Sequence, residues 1–100
     1  MSPPTTPAAI ELTAAAVKDL DDVLIWLAAR NPSAAEALRE SIDSVLTTLA
    51  TGMLHGPAST LASGARCRRF YVHPLWIYYQ HIPGVLRVLR IYHHARTPLE

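Results

Sequence analysis

A single cysteine, Cys67, stands among 100 residues, so no internal disulfide closes and a reducing cytoplasm is the expected compartment. No basic stretch followed by an apolar run opens the sequence, which disfavours a secretory leader. Long hydrophobic runs are missing as well. The most apolar window, residues 23–29, follows directly on Lys18, Asp19, Asp21 and Asp22, so nothing approaches the roughly 18 uncharged residues of a membrane span. Ligand spacing for a metal is absent, since adjacent His93 and His94 and one cysteine match no recognised pattern; neither metal nor cofactor is expected. Lysine is nearly absent too. Lys18 is the only one, and beyond residue 50 the only acid is Glu100.

What remains is apolar and unevenly charged. Half the residues are hydrophobic and 17% are charged, enough for one core without staples, and a chain of this length buries roughly two thirds of its unfolded surface as one domain. Residues 1–50 carry three cations against seven acids, net −4; residues 51–100 carry six arginines against one acid, net +5. All five histidines (His55, His73, His81, His93, His94) share the basic half, so mild acid deepens the asymmetry. A half of this sign faces an anion or an acidic partner.

Residues 1–7 hold three prolines and two threonines and read as a flexible tail. Residues 8–98 read as the single domain, and Leu99-Glu100 is compatible with a cloning remnant. A short apolar strand at Ala8–Leu12 ends at Thr13, whose hydroxyl suits a helix cap. Over Ala14–Ala29, Val17, Leu20, Leu24 and Leu27, widened by Val23, recur at helical spacing. Asn31-Pro32-Ser33 breaks the pattern, and either Pro32 at a first helical position or Ser33 with Glu36 as a capping box restarts it. Ala35, Leu38, Ile42, Val45, Leu46 and Leu49 then trace one stripe, ended by Gly52. Two helices joined so tightly form an antiparallel hairpin.

Residues 53–64 shift to Gly, Pro, Ser, Thr and His and read as an irregular connector. Strands follow at 65–72, 75–81 and 85–93, separated by His73-Pro74 and by Pro83-Gly84, the latter suited to a type II turn. The expectation is an α+β fold: a short N-terminal strand, a two-helix hairpin and a three-stranded antiparallel meander, with the helical stripes over one sheet face and the arginines on the other face or its rim.

Several pieces, in order, carry a resemblance across Ile10 to Pro98. They are Leu12-Thr13 with Ala16, Asp19-Leu20 and Ile25; Asn31-Pro32 with Ala34-Ala35; Leu61-x-x-Gly64-x-Arg66; Trp76-Ile77-Tyr78-Tyr79; and Val88-Leu89-Arg90-Ile91-Tyr92-His93-His94-Ala95-Arg96. Together they resemble the RelE/ParE superfamily of type II toxin-antitoxin toxins. The resemblance implies a small sheet packed by a helical hairpin, and a cognate antitoxin as partner. RelE-type toxins cut messenger RNA on the ribosome; ParE-type toxins share the fold but poison DNA gyrase.

A nuclease needs a phosphate clamp and an acid/base pair in one place. Arg66 and Arg90 could supply the clamp, but with no lysine or internal acid in the sheet half, His93 or His94 would have to act as base. The His93-His94-Ala95-Arg96 ending looks more like ParE. The favoured reading is therefore a ParE-like toxin with no catalytic residue of its own, inhibiting growth by binding gyrase and neutralised by a ParD-like antitoxin. The alternatives are a ribosome-dependent endoribonuclease, so that enzyme status stays open, and an inactive antitoxin-binding module. A homodimer and a toxin-antitoxin hetero-oligomer are both open; no membrane contact is expected.

Target or antitoxin contacts are assigned to Trp26, Arg66, Arg68, Arg69, Arg87, Arg90 and Arg96. The competing reading pairs some arginines with the acids of the helices. Along β structure Arg66 and Arg68 share one face and Arg69 takes the other. Trp76, Tyr78 and Tyr79 read mainly as core, Cys67 as a small buried hydrophobe, Trp26 as an exposed aromatic, and His93 as ordering the strand end.

Overall fold

A computed structural model describes residues 8–94. The order is β1 (Ala9–Leu12), α1 (Ala14–Ala28), α2 (Pro32–Ala50), β2 (Ala58–Thr60), β3 (Arg66–Val72), β4 (Leu75–Ile82) and β5 (Val85–His93). The proposed tail at 1–7, Arg96 and Leu99-Glu100 lie outside the described residues. The α+β class, the helical hairpin and the β3-β4-β5 meander agree with the sequence. The sheet is larger and mixed, with strand order β1-β5-β4-β3-β2 and β1 parallel to β5.

Local chemistry sets the helix limits. The Thr13 hydroxyl accepts from the Ala16 amide at 3.1 Å, filling one orphan donor of α1, and donates to the Leu89 carbonyl at 2.9 Å, so one side chain starts the helix and ties it to β5. For α2 the cap is Asn31, whose side-chain oxygen accepts from the Ala34 amide, with Pro32 at the first helical position; the Ser33–Glu36 capping box is not the device used. Gly52, at φ +78°, turns the chain beyond α2, and Gly84, at φ +79°, takes the left-handed position of the β4–β5 turn.

The core lies between the hairpin and one sheet face. Leu38, Ile42, Leu46 and Leu49 of α2 meet Leu75, Ile77, Tyr79, Leu86, Val88 and Ile91. Each fully buried aliphatic contributes roughly 1.5–3 kcal/mol. From α1 only Ala16 is fully buried, with Leu20, Val23, Leu24 and Leu27 partly so. Val17, expected in the stripe, is exposed, because the buried Ala16 fixes the inward face and the next residue lies about 100° around the helix.

Two features depart from the linear reading. Ala58–Thr60, inside the expected irregular connector, pairs antiparallel with Arg66–Arg68 as β2. Three residues carry no periodicity, so the pairing comes from the partner strand. In β5, Tyr78 faces Arg90 while Tyr79 faces Val88, leaving Leu89 as the extra residue of a bulge. The bulge keeps Ile91 in the core with Leu86 and Val88, although its spacing from Val88 is odd.

Candidate target-binding surface

β1 ends at Leu12, opposite Val88, so the last residues of β5 meet α1 instead of a strand. Asp19 of α1 fills that gap. Its carboxylate accepts from Arg90 Nε at 2.8 Å and Nη2 at 3.0 Å, and from the Ile91 backbone amide at 3.1 Å. Arg90 also lies 4.8 Å over the Tyr92 ring. Arg87 reaches Glu11 of β1 at 3.1 Å. Two of the candidate arginines thus hold carboxylates of the acidic half: Arg90 takes an acid of the helices, as in the competing reading, whereas the partner of Arg87 belongs to a strand.

The remaining arginines divide between faces. The register pairs Arg68 with core-facing Tyr79, and Arg69 with Tyr78, which faces away from the helices. Arg66 and Arg68 accordingly stand on the helix side of the sheet, beyond the end of α2, and only Arg69 points to the uncovered face. The sequence puts the arginines on the face opposite the helices or on its rim and sets Arg69 against Arg66 and Arg68; with alternation fixed by the core residues Phe70 and Val72, Arg69 takes the uncovered face while Arg66 and Arg68 lie on the helix side.

The uncovered face is aromatic. Arg69 sits 4.6 Å over Trp76, which lies 4.9 Å from Tyr71; Tyr78 and Tyr92 meet edge to face at 5.7 Å. Leu61 and Cys67 pack with Tyr78 and Tyr92 in a second small core, and burial raises the Cys67 thiol above the usual 9.0. Tyr78 and Tyr79 are both buried, on opposite faces, whereas Trp76 is half-buried and Tyr71 exposed. Arg69 Nε is buried and makes no hydrogen bond among the described residues.

Histidines collect at one end of the sheet. His93 and His94 stack at 4.6 Å, His73 lies 5.6 Å from His94, and the Tyr71 hydroxyl meets His73 Nδ1 at 2.7 Å. The backbone amide of His94 donates to the Pro74 carbonyl at 2.8 Å, fixing the strand end. Of the residues weighed for nuclease chemistry, the structure brings His93 and His94 together but leaves Arg66 about 20 Å away. His93 pairs with Leu75, and Arg66 stands level with the far end of β4, six residues along at about 3.3 Å each. Arg90 is committed to Asp19. Sequence reasoning did not find His73 or Tyr71, though their position beside the His73-Pro74 turn, opposite the end of β5, could have suggested them.

On α1, Trp26 is 57% exposed and Ile25 69%, and Arg30 lies 4.0 Å over the Trp26 ring. No group of metal-binding side chains occurs among the described residues, and no helix there is long and apolar enough to cross a membrane.

Comparison with known proteins places this architecture. No curated protein is a significant match. Among solved structures, the fold is similar to a chain of the "Chromosomal ParDE TA system from P. aeruginosa", with a TM-score of 0.69 and 18% identity over 86% of this chain and 95% of that one. That likeness speaks for the fold alone. The profile of the "ParE toxin of type II toxin-antitoxin system, parDE" matches residues 10–98, and the chain therefore belongs to the ParE toxin family, whose systems pair a toxin with an antitoxin.

Proposed function

We propose that the chain is a cytoplasmic toxin that arrests growth by binding DNA gyrase, without covalent chemistry of its own, and is silenced by its antitoxin. The observation that carries this reading is the separation of Arg66 from Arg90 and the two terminal histidines. Arg66 lies about 20 Å from the histidines, and Arg90, on the same strand as His93, is taken up by Asp19, so a clamp and a proton-transfer group do not meet at one phosphodiester. The Arg69–Trp76–Tyr71 patch is instead suited to binding, since a half-buried arginine over an indole presents charge and area together. The antitoxin is expected to be amphipathic and acidic where it meets arginine, and the exposed Ile25–Trp26–Arg30 corner of α1 offers it an apolar anchor.

A second reading is a ribosome-dependent nuclease, favoured by the Tyr71–His73–His94–His93 cluster beside Arg69 and Trp76. A single arginine there is a poor clamp for a dianionic transition state. Purified toxin separates the two. Inhibited supercoiling by gyrase with intact message on the ribosome supports the first; codon-positioned message cleavage lost in His93→Ala and His94→Ala, with supercoiling unaffected, overturns it.

A further inference from the structure

On the helix side of the sheet, beyond α2, an open groove of about 570 Å³ is lined by His55, Arg66, Arg68, Tyr79, Gln80 and His81, among others. Its chemistry is lopsided. Two arginines and two histidines converge, and no aspartate or glutamate lines it. The imidazoles of His55 and His81 lie 6.1 Å apart. One Arg68 Nη donates to the Gly56 carbonyl at 2.8 Å, which fixes that side chain against the 55–57 loop, while the Arg66 side chain is exposed and forms no ion pair among the described residues.

Arg87 and Arg90 each hold a carboxylate of the acidic half, at 3.1 and 2.8 Å. The acids of α2 end at Asp43, almost two turns before the end of that helix, so none extends to the groove. Positive charge without an internal counterion, gathered along an open groove, suits an external anion.

The site is also held in place. The Gly56 amide donates to the buried Tyr79 hydroxyl at 2.8 Å, and a Cβ on Gly56 would lie 1.8 Å from the Arg69 carbonyl oxygen, so the His55 loop is pressed onto β3 by the lack of a side chain. Gly52 brings the end of α2 close to His81, with an added Cβ only 3.4 Å from its ring.

We propose that this groove binds a phosphate-bearing anion, with Arg66 and Arg68 as the charge-assisted donors and His55 and His81 closing over the phosphate oxygens. The site lies on the opposite side of the sheet from the Arg69–Trp76 patch and depends on neither gyrase nor antitoxin. Phosphate groups of this kind come from free nucleotides or from a nucleic-acid backbone; both present the same oxygens.

The test is titration of the full chain at low ionic strength with inorganic pyrophosphate, ATP and a short single-stranded DNA, followed by calorimetry and amide chemical shifts. Saturable binding is expected, with shifts at residues 55–56, 66–68 and 80–82. Arg66→Gln combined with His81→Gln should weaken it at least tenfold, whereas Lys18→Gln, which removes one charge elsewhere, should change it less than twofold. Both groove side chains are exposed, so the variant is expected to keep the wild-type melting temperature, and a circular-dichroism melt verifies this. ATP and pyrophosphate binding that exceeds DNA binding identifies a free phosphorylated ligand as the source. DNA binding that is tighter, falls steeply with salt and is lost in the same variant identifies the backbone. Absence of binding to all three probes at millimolar concentration, or equal loss in Lys18→Gln, overturns the proposal.

Discussion

Removing Asp19 is the sharpest test of how α1 is fastened to the sheet. Its carboxylate accepts three hydrogen bonds, two from Arg90 and one from the Ile91 amide, and the two side chains are only 15% and 19% exposed. In Asp19→Ala the guanidinium loses its counterion and a strand-edge amide loses its acceptor. Breaking one side of a fully buried pair costs about 3–5 kcal/mol; residual exposure places this one near the lower limit, at about 3 kcal/mol. Against a total stability of roughly 5–15 kcal/mol that is a large share, and for a domain of this size it corresponds to a fall in Tm of about 12–24 °C. Asp19→Asn keeps one oxygen but no charge and should lose about half as much. Urea denaturation at constant m-value measures both, and a double-mutant cycle with Arg90→Met isolates the pair. The exposed Lys18–Asp22 pair is the internal contrast: Lys18→Ala should cost under about 0.5 kcal/mol. A loss below about 1 kcal/mol in Asp19→Ala would refute the view that this carboxylate stands in for a missing strand.

Gly56→Ala is expected to destabilise by more than about 2 kcal/mol, because the new methyl collides with the Arg69 carbonyl and the Tyr79 hydroxyl loses its donor; chemical denaturation measures it. Trp26→Ala should leave stability within about 0.5 kcal/mol, since the ring is more than half exposed, yet weaken antitoxin binding at least tenfold in a calorimetric titration. Cys67, buried and with its thiol raised above 9.0, should react with a thiol-specific disulfide reagent at pH 8 many times more slowly than in urea. Because the folded state holds this proton more tightly than the unfolded chain, its contribution to stability is complete below about pH 9 and falls as pH rises past it, as melts between pH 8 and 10 can follow.

The helices were legible because their signals are local. Thr13 and Asn31 cap where a short polar side chain precedes an apolar stripe, and the α2 stripe from Ala35 to Leu49 buries as its spacing requires. The three meander strands were legible from β-branched and aromatic runs between turn pairs. Periodicity says which side of an element is buried but not which edge finds a partner, so the parallel β1–β5 pairing and the three-residue β2 were out of reach. The bulge did leave a trace: Leu86, Val88 and Ile91 break strict alternation, which an extra residue at Leu89 explains. Of the candidate surface, the exposure of Trp26 and the opposition of Arg68 and Arg69 followed from spacing alone. The destination of each arginine did not. Asp19 and Arg90 are 71 residues apart, and His55, Arg66, Arg68 and His81 come from three separate segments, the strands joined by the β3–β4 pairing and the His55 loop by a close backbone approach at Gly56.

The union of the first strand with the fifth has a temporal side. Ala9 waits for Val85, so the edge that completes the sheet closes only after the intervening 75 residues have been made. The helical hairpin, built from near neighbours, can form long before, holding its oily flank against nothing; contacts between such distant positions are the slow step of folding. A ribosome translating this message therefore carries a chain whose first strand has no neighbour until the last one emerges.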